Sequence, residues 1–491
     1  MKLSHFFHLI ISVLMCISIV TAQSTNKQAS SSSIPAHPSK IKFQPLDWTV
    51  PLGSPYRTEL KNGLITYIAE DQTLPLVKIV LYIRSGSLLD PASKEGLASL
   101  MTKLMRTGGT SKYPADTLNE LIDQYAMQFG ISATETQISF SASFLSEYTE
   151  KALDIMEQLI FHPVFNLKEF EKEQKIMIQN IQHRFDDPAP TLRAAYQKQL
   201  YAGEVSSRFA TEASVKNISR EDLVGLHKKT FVTPKMILSL AGNFNRDSML
   251  TRIEKIFPPS TQVPNDSFPQ IAIKPKFKCL LVQKPLSQAY VRLGLPLFKR
   301  PHPDYYSMSL LNEILGGGGF ISRLGAKIRS DAGLTYSIYS NAESNYIYPG
   351  TFYIEFFTKN ASFSQAVALI IEEVQKVISE EVTELELENA KASLTGSLPS
   401  MFRSPFDIVS TYAWNEYYKR DPDHFKVYEE KLRKVTREDL LRVAKQYLTP
   451  DNFTYTVVGD TDALLKQETN GFSLSKMEVK TIPVDSIAAL P

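Results

Sequence analysis

Cysteine is almost missing from this chain: Cys16 and Cys279 are the only two in 491 residues. Cys16 falls in a segment expected to be removed, so no pair remains for an intrachain disulfide and the fold must be held by its apolar core. An excess of one charge is missing too. Lys and Arg number 54 against 52 Asp and Glu, a formal net charge of +2, and the two signs are interspersed. That balance gives no footing for a nucleic-acid partner. Histidine is scarce and scattered. Past the N-terminus there are His37, His162, His183, His227, His302 and His424. None lies close to another in sequence, and each is expected at the surface or at a helix end rather than on a metal. Long apolar runs are confined to Phe6–Val20, shorter than the roughly 20 residues that span a bilayer. With Lys2 before it and Val20-Thr21-Ala22 after it, this run reads as a signal peptide over 1–22. Cleavage at Ala22 would leave a periplasmic chain with no stable membrane insertion. Met15 is too bulky for a lipoprotein site at Cys16.

What the sequence does have is an internal repeat. ISREDLVGLHKKTFVTPKMILSLAGN begins at Ile218, and VTREDLLRVAKQYLTPDNFTYTVVGD begins at Val435. Each has a hydroxyl residue before Arg-Glu-Asp-Leu, a helix-start signal, then a Thr-Pro stop and an apolar strand ending in glycine. The hydroxyls are offset by 436 − 219 = 217 and the glycines by 459 − 242 = 217. A register kept over both landmarks implies a duplicated domain. Alternating strands at 136–145 and 350–359, and helical spacing at 148–160 and 362–378, repeat the same theme. The expected fold is α+β: two duplicated α/β sandwich domains, each an antiparallel-rich sheet packed with helices. Expected boundaries are a Ser/Pro-rich tether over 23–42, a first domain over 43–257, a linker over 258–274, a second domain over 275–470 and a C-terminal tail over 471–491.

The segment GLASLMTKLMRTGG (96–109) forms an amphipathic helix behind the strand and loop YIRSGSLLDPASKE. In this order of elements the chain resembles the inverzincin family: pitrilysin, insulinase and mitochondrial processing peptidase. The resemblance covers roughly 55–470. It implies two related domains facing each other as half of a clam-like chamber, with zinc held by H-x-x-E-H on a helix of the first. The family's Gly-Leu-Ala lead-in puts its first histidine on Ser99, its base glutamate on Thr102 and its second histidine on Lys103. The further glutamate falls on Asn180, since 180 − 103 = 77. All four are replaced, and hydroxyls and an ammonium are poor zinc ligands, so no metal or other cofactor is expected in this chain. A Ser99–Lys103 nucleophile dyad is set aside, because such i, i+4 neighbours are commonplace on helices.

The second half retains a different signature, GGGGFISRLGAKIRSDAGLTYSIYS (316–340). Gly316–Gly319 lacks the Gly-Lys-Ser/Thr of a phosphate loop and is expected to end a helix. Active relatives carry an arginine and a tyrosine seven residues apart here, and Arg329 and Tyr336 match, since 336 − 329 = 7. The resemblance implies that both hold the substrate backbone and the oxyanion of the tetrahedral intermediate. It also implies a non-catalytic subunit of a heterodimeric peptidase, paired with a chain of similar length that carries H-x-x-E-H and zinc, with peptides as substrates. The alternative is a zinc-less structural or peptide-binding scaffold of the same fold.

Overall fold

The computed structural model describes residues 48–260, 267–467 and 471–490, with positions 35, 37, 40 and 41. The expected signal peptide, nearly all of the tether and the middle of the linker lie outside the described residues. Among the described residues no helix is long and apolar enough to cross a membrane.

Alternation in the sequence becomes two six-stranded sheets. The first contains β1 (Arg57–Glu59), β2 (Ile65–Glu70), β3 (Leu76–Ile83), β4 (Gln128–Ala133), β5 (Ile138–Leu145) and β6 (Met236–Gly242), in the order β1-β2-β6-β3-β5-β4. The second contains β7 (Cys279–Gln283), β8 (Gln288–Pro296), β9 (Ile338–Ala342), β10 (Thr351–Lys359), β11 (Thr454–Gly459) and β12 (Val479–Pro483), in the order β12-β7-β11-β8-β10-β9. The orders superimpose, and so do the directions of the inner pairs. The β2–β6 and β7–β11 pairs are parallel, and the β3–β6 and β8–β11 pairs antiparallel. Only the outermost strand differs. It comes from the start of the chain and pairs antiparallel in one sheet, and from the end of the chain and pairs parallel in the other. Of the expected tail over 471–491, the described residues 471–490 belong to the fold: 479–483 complete the second sheet, and Leu474, Ile482 and Ile487 are buried.

In the first half the α-helices longer than five residues are α1 (Leu97–Thr107), α2 (Ala115–Gln124), α3 (Thr149–Phe161), α4 (Leu167–Gln182), α5 (Pro188–Leu200), α6 (Arg220–Thr230) and α7 (Arg246–Ile256). In the second they are α8 (Tyr305–Asn312), α9 (Phe363–Ser379), α10 (Glu384–Gly396), α11 (Pro405–Tyr417), α12 (His424–Lys434) and α13 (Arg437–Tyr447). Successive strand residues point to opposite faces, so each sheet can be covered twice. Val77, Ile79, Leu81 and Ile83 enter one core with α1, α3, α6 and α7. Cys279, Leu281, Val291, Leu293 and Val457 enter the equivalent core of the second half.

The opposite faces are covered by exchange. Helix α11, from the second half, lies on β2 and β6 of the first sheet. Tyr82 meets Trp414 at 5.3 Å between ring centroids, the Tyr67 hydroxyl donates to Glu416 at 2.7 Å, and Arg57 grips Glu416 through Nε at 3.0 Å. Helix α5, from the first half, lies on β8 and β11 of the second sheet, with Leu192 and Ala195 against Leu280, Val282 and Val458. The fully buried Gln199 amide donates to the Phe277 carbonyl at 2.9 Å and the Tyr455 carbonyl at 3.2 Å, and its oxygen accepts from the Thr456 hydroxyl. The two helices are repeat equivalents, since 188 + 217 = 405 and 200 + 217 = 417. The division at residues 257 and 275 thus marks a boundary along the sequence, while residues from Val50 onward form one compact unit.

Candidate functional site

Helix α1 begins where Asp90 reaches back to its free amides, accepting from Gly96 N at 2.9 Å and Ala98 N at 3.0 Å. Burial pushes the Asp90 carboxyl up to about 6, against these two bonds, which favour its charged form. The helix packs on α4 and α6 and sends Leu97, Leu100, Met101, Leu104 and Met105 into the core. Ser99 and Lys103 lie on its exposed side, and Asn180 on the exposed side of α4. Thr102 is only 2% exposed, and its hydroxyl donates to the Ser99 carbonyl at 3.0 Å.

Ser99 also borders a cavity of about 310 Å³ with Asp90, Glu95, Glu135 and Arg184. The four positions Ser99, Thr102, Lys103 and Asn180 do not fit a zinc ion. One hydroxyl is committed to a carbonyl, an ammonium stands at the fourth turn position, and imidazole is lacking. Among the described residues no group of three or more His, Cys, Asp or Glu side chains converges on a common point. Ser99 and Lys103 share no hydrogen bond, so no activated hydroxyl is formed.

The histidines lie at the surface or at helix ends: His227 is in the last turn of α6, His424 opens α12 and His302 precedes the cap residue of α8. His162 and His183 are exposed. His227 is half-buried, stacked on Phe231 with Nε2 at 2.7 Å from the Ile160 carbonyl oxygen, and burial lowers its pKa. His302 stacks on Phe298 at 4.1 Å, and His424 lines a cavity between helices. Each of the last three is half-buried against a ring close by in sequence: Phe231 for His227, Phe298 for His302 and Phe425 for His424.

In the second half, the helix that begins as α8 ends among the glycines, with Gly318 as its cap. Its last turn is a wide π turn over Glu313–Gly317, and the chain then tightens over Gly319–Ile321. Gly316 is required by close approach: a Cβ there would sit 2.5 Å from Ser340 N. Gly325 is required likewise, because its Cβ would lie 2.1 Å from the Gly319 carbonyl oxygen. A second π turn, Gly325–Asp331, carries Arg329; such turns recur at functional sites because they displace one side chain from the regular helical register. The strand lead-in is pinned by Thr335, whose hydroxyl donates to the Phe357 carbonyl at 2.6 Å, and by Thr358, which donates to the Leu334 carbonyl at 2.6 Å.

These constraints bring Arg329 and Tyr336 together. The Arg329 guanidinium carbon lies 4.6 Å from the Tyr336 ring centroid and 3.8 Å from that of Phe320. Two aromatic faces hold the guanidinium plane and leave its N–H edge free for an acceptor. Tyr336 is 75% exposed, Phe320 64% and Ile321 81%. Phe320 was not singled out from the sequence, although a bulky aromatic directly after four glycines is itself a signal, since nothing local can bury it.

Comparison with known proteins places this geometry. The insulinase pattern (peptidase family M16) matches residues 66–209, and the peptidase M16 inactive-domain pattern matches 217–394. A protein of Helicobacter pylori named "Non-peptidase homolog YmxG" is 25% identical over 397 residues, covering 80% of this chain and 90% of its own length. The Bacillus subtilis protein named "Uncharacterized zinc protease YmxG" is 25% identical over 399 residues, covering 80% and 96%. The crystal structure of a peptidase M16 inactive domain from Pseudomonas fluorescens superimposes with a TM-score of 0.73 at 22% identity, over 82% of this chain and 97% of that one.

Proposed function

The chain belongs to the M16 family of insulinase-like peptidases, and from that premise we propose that it is a zinc-less, non-peptidase member acting as one subunit of a two-chain peptidase. The observation that carries this reading is the contrast between the two halves. Ser99, Thr102, Lys103 and Asn180 stand where the family's metal site would be, while Arg329 and Tyr336 are held side by side on the exposed glycine loop. A scaffold has no chemical need for an arginine clamped beside an exposed tyrosine. A subunit that lends donors to another chain's reaction does. The non-peptidase name of the H. pylori relative agrees with the first half of the reading.

The division of labour follows from the residues present. The partner supplies the metal chemistry. This chain presents Arg329 as a fixed cation and the Tyr336 hydroxyl as a donor toward the peptide carbonyl oxygen. Donors already oriented before the charge develops stabilise the tetrahedral oxyanion without reorganising. The signal-like N-terminus supports a periplasmic location for the complex.

Affinity isolation of the chain from its native envelope, with mass spectrometry of what accompanies it, tests the proposal. A stoichiometric companion of similar length bearing H-x-x-E-H is the expected result. Self-association alone, or companions without that motif, would overturn it in favour of a structural scaffold.

A further inference from the structure

A cavity of about 750 Å³ lies between the approach to α8, the loop around Tyr346, the α11–α12 junction and the start of α13. It shares no lining residue with the Arg329–Tyr336 site or with the cavity beside Ser99. Its size is that of a small-molecule site. Its walls are cationic and aromatic. The Arg300 guanidinium lies 3.6 Å from the Tyr305 ring centroid and 4.4 Å from that of Tyr346. Arg420 stacks over the same Tyr346 at 4.5 Å and over Tyr418 at 5.0 Å. Lys431 Nζ stands 5.4 Å from the Tyr306 ring centroid.

Asp304, Asp421 and Asp439 share the lining, but none lies within ion-pair distance of these three cations, and Lys and Arg outnumber the acids in the cavity wall. Asp304 is taken by Arg442 at 2.7 Å and Tyr447 at 2.8 Å. Asp439 caps α13, accepting from Thr436 N at 3.1 Å, and Asp421 accepts from Asp423 N at 2.8 Å. Arg420 Nε is buried without a hydrogen-bond partner. The neighbouring His424 registers the imbalance: burial first, then Arg420, Arg300 and Lys431, push its pKa down to about 4. A fold gathers unpaired cations in a tyrosine-lined cavity at a cost in self-repulsion, and a bound anion removes that cost.

We propose that this cavity binds a small soluble organic phosphate, its phosphate group held by Arg300, Arg420 and Lys431 and its organic part lying against the tyrosines. A carboxylate would balance only one of the three charges. A phosphate or diphosphate offers two or more, in the geometry that a guanidinium fork matches.

Inorganic pyrophosphate titrated calorimetrically into the purified chain tests this, with sodium chloride at matched ionic strength and sodium acetate as controls. Saturable one-to-one binding is expected, weakened about tenfold or more in Arg420→Gln and in Lys431→Gln, each removing one charge-assisted contact. The His424 imidazole resonance should also move toward its protonated position when pyrophosphate binds. Lys431 is exposed, so its variant decides the matter if Arg420→Gln fails to fold. No saturable binding, or unchanged affinity in Lys431→Gln, would overturn the site. Acetate binding as tightly as pyrophosphate would overturn the phosphate assignment. Neither result bears on the two-chain peptidase, which uses none of these residues.

Discussion

Arg329 is half-buried, its guanidinium held against the rings of Phe320 and Tyr336. That arrangement separates function from stability at single residues. Tyr336 is three-quarters exposed, so Tyr336→Phe should leave the melting temperature of the chain unchanged. In the reconstituted pair the same change removes one oxyanion donor and should lower kcat about 100-fold with KM little altered. Steady-state cleavage of a reporter peptide checks both quantities, and unchanged kcat would remove Tyr336 from the mechanism. Arg323, on the same loop, has the opposite role. It grips Glu386 at 2.7 and 2.9 Å, tying the loop to the first turn of α10. The Arg323 hydrogen bonds, with help from the Thr383 amide, hold the Glu386 carboxyl down at about 2 from an ordinary 4.5. A depressed acid stabilises the fold above its unfolded value, so this contribution is intact at pH 6 and fades as pH falls through 4.5 toward 2. The pair is partly open to solvent, which limits the effect to about 1 kcal/mol. Urea unfolding of the wild type and Arg323→Met should therefore differ by about that amount at pH 6, with the gap narrowing steadily as pH falls from 4.5 toward 2. A constant gap across that range would contradict the assignment.

Among the elements, α6 and α13 show how directly local chemistry can be read. Ser219 accepts from Asp222 N at 3.2 Å and Thr436 from Asp439 N at 3.3 Å, and each aspartate accepts in return from the backbone N–H of its cap residue. Both form the same reciprocal capping box, 217 residues apart, since 436 − 219 = 217. Ser219→Ala and Thr436→Ala should each cost about 1 kcal/mol, measurable as a lower urea midpoint with unchanged slope. A loss confined to one repeat would mean that the two boxes are not energetic equivalents. Such signals were legible because cap, helix and Thr-Pro stop are all neighbours in sequence. The assignment of Ser99, Thr102 and Lys103 to the family's metal positions rests on a signal of the same local kind, the triplet that precedes Ser99. The strand β12 and the placement of α5 and α11 were not. Val479–Pro483 is short, and the strand that makes it a strand, Cys279–Gln283, lies about two hundred residues earlier. Gln199 reads as a surface glutamine in PTLRAAYQKQL, yet its amide is satisfied by Phe277 and Tyr455 and is fully buried. Helical periodicity says which face is apolar; it does not say which sheet that face will meet.

For the whole molecule, the exchange of α5 and α11 makes each half incomplete without the other. The first sheet's second face carries Tyr67, Lys78 and Tyr82, which α11 covers through Glu416, Phe406 and Trp414. The second sheet's second face carries Leu280, Val282 and Val458, which α5 covers. A sheet stripped of one covering helix exposes a contiguous apolar and aromatic surface, and an uncovered helix leaves buried amides such as that of Gln199 without partners. The duplicated sequence therefore encodes two folds that close only on each other. Residues 48–260 expressed alone should be insoluble or lack a cooperative melting transition, and the same should hold for 267–490. Coexpressed, the two fragments should associate, because α5 and α11 can still cross between them. The intact chain should unfold in one calorimetric transition whose van't Hoff and calorimetric enthalpies agree. Two resolved transitions, or a cooperative melt of residues 48–260 alone, would show that the exchanged helices decorate two self-sufficient domains rather than complete them.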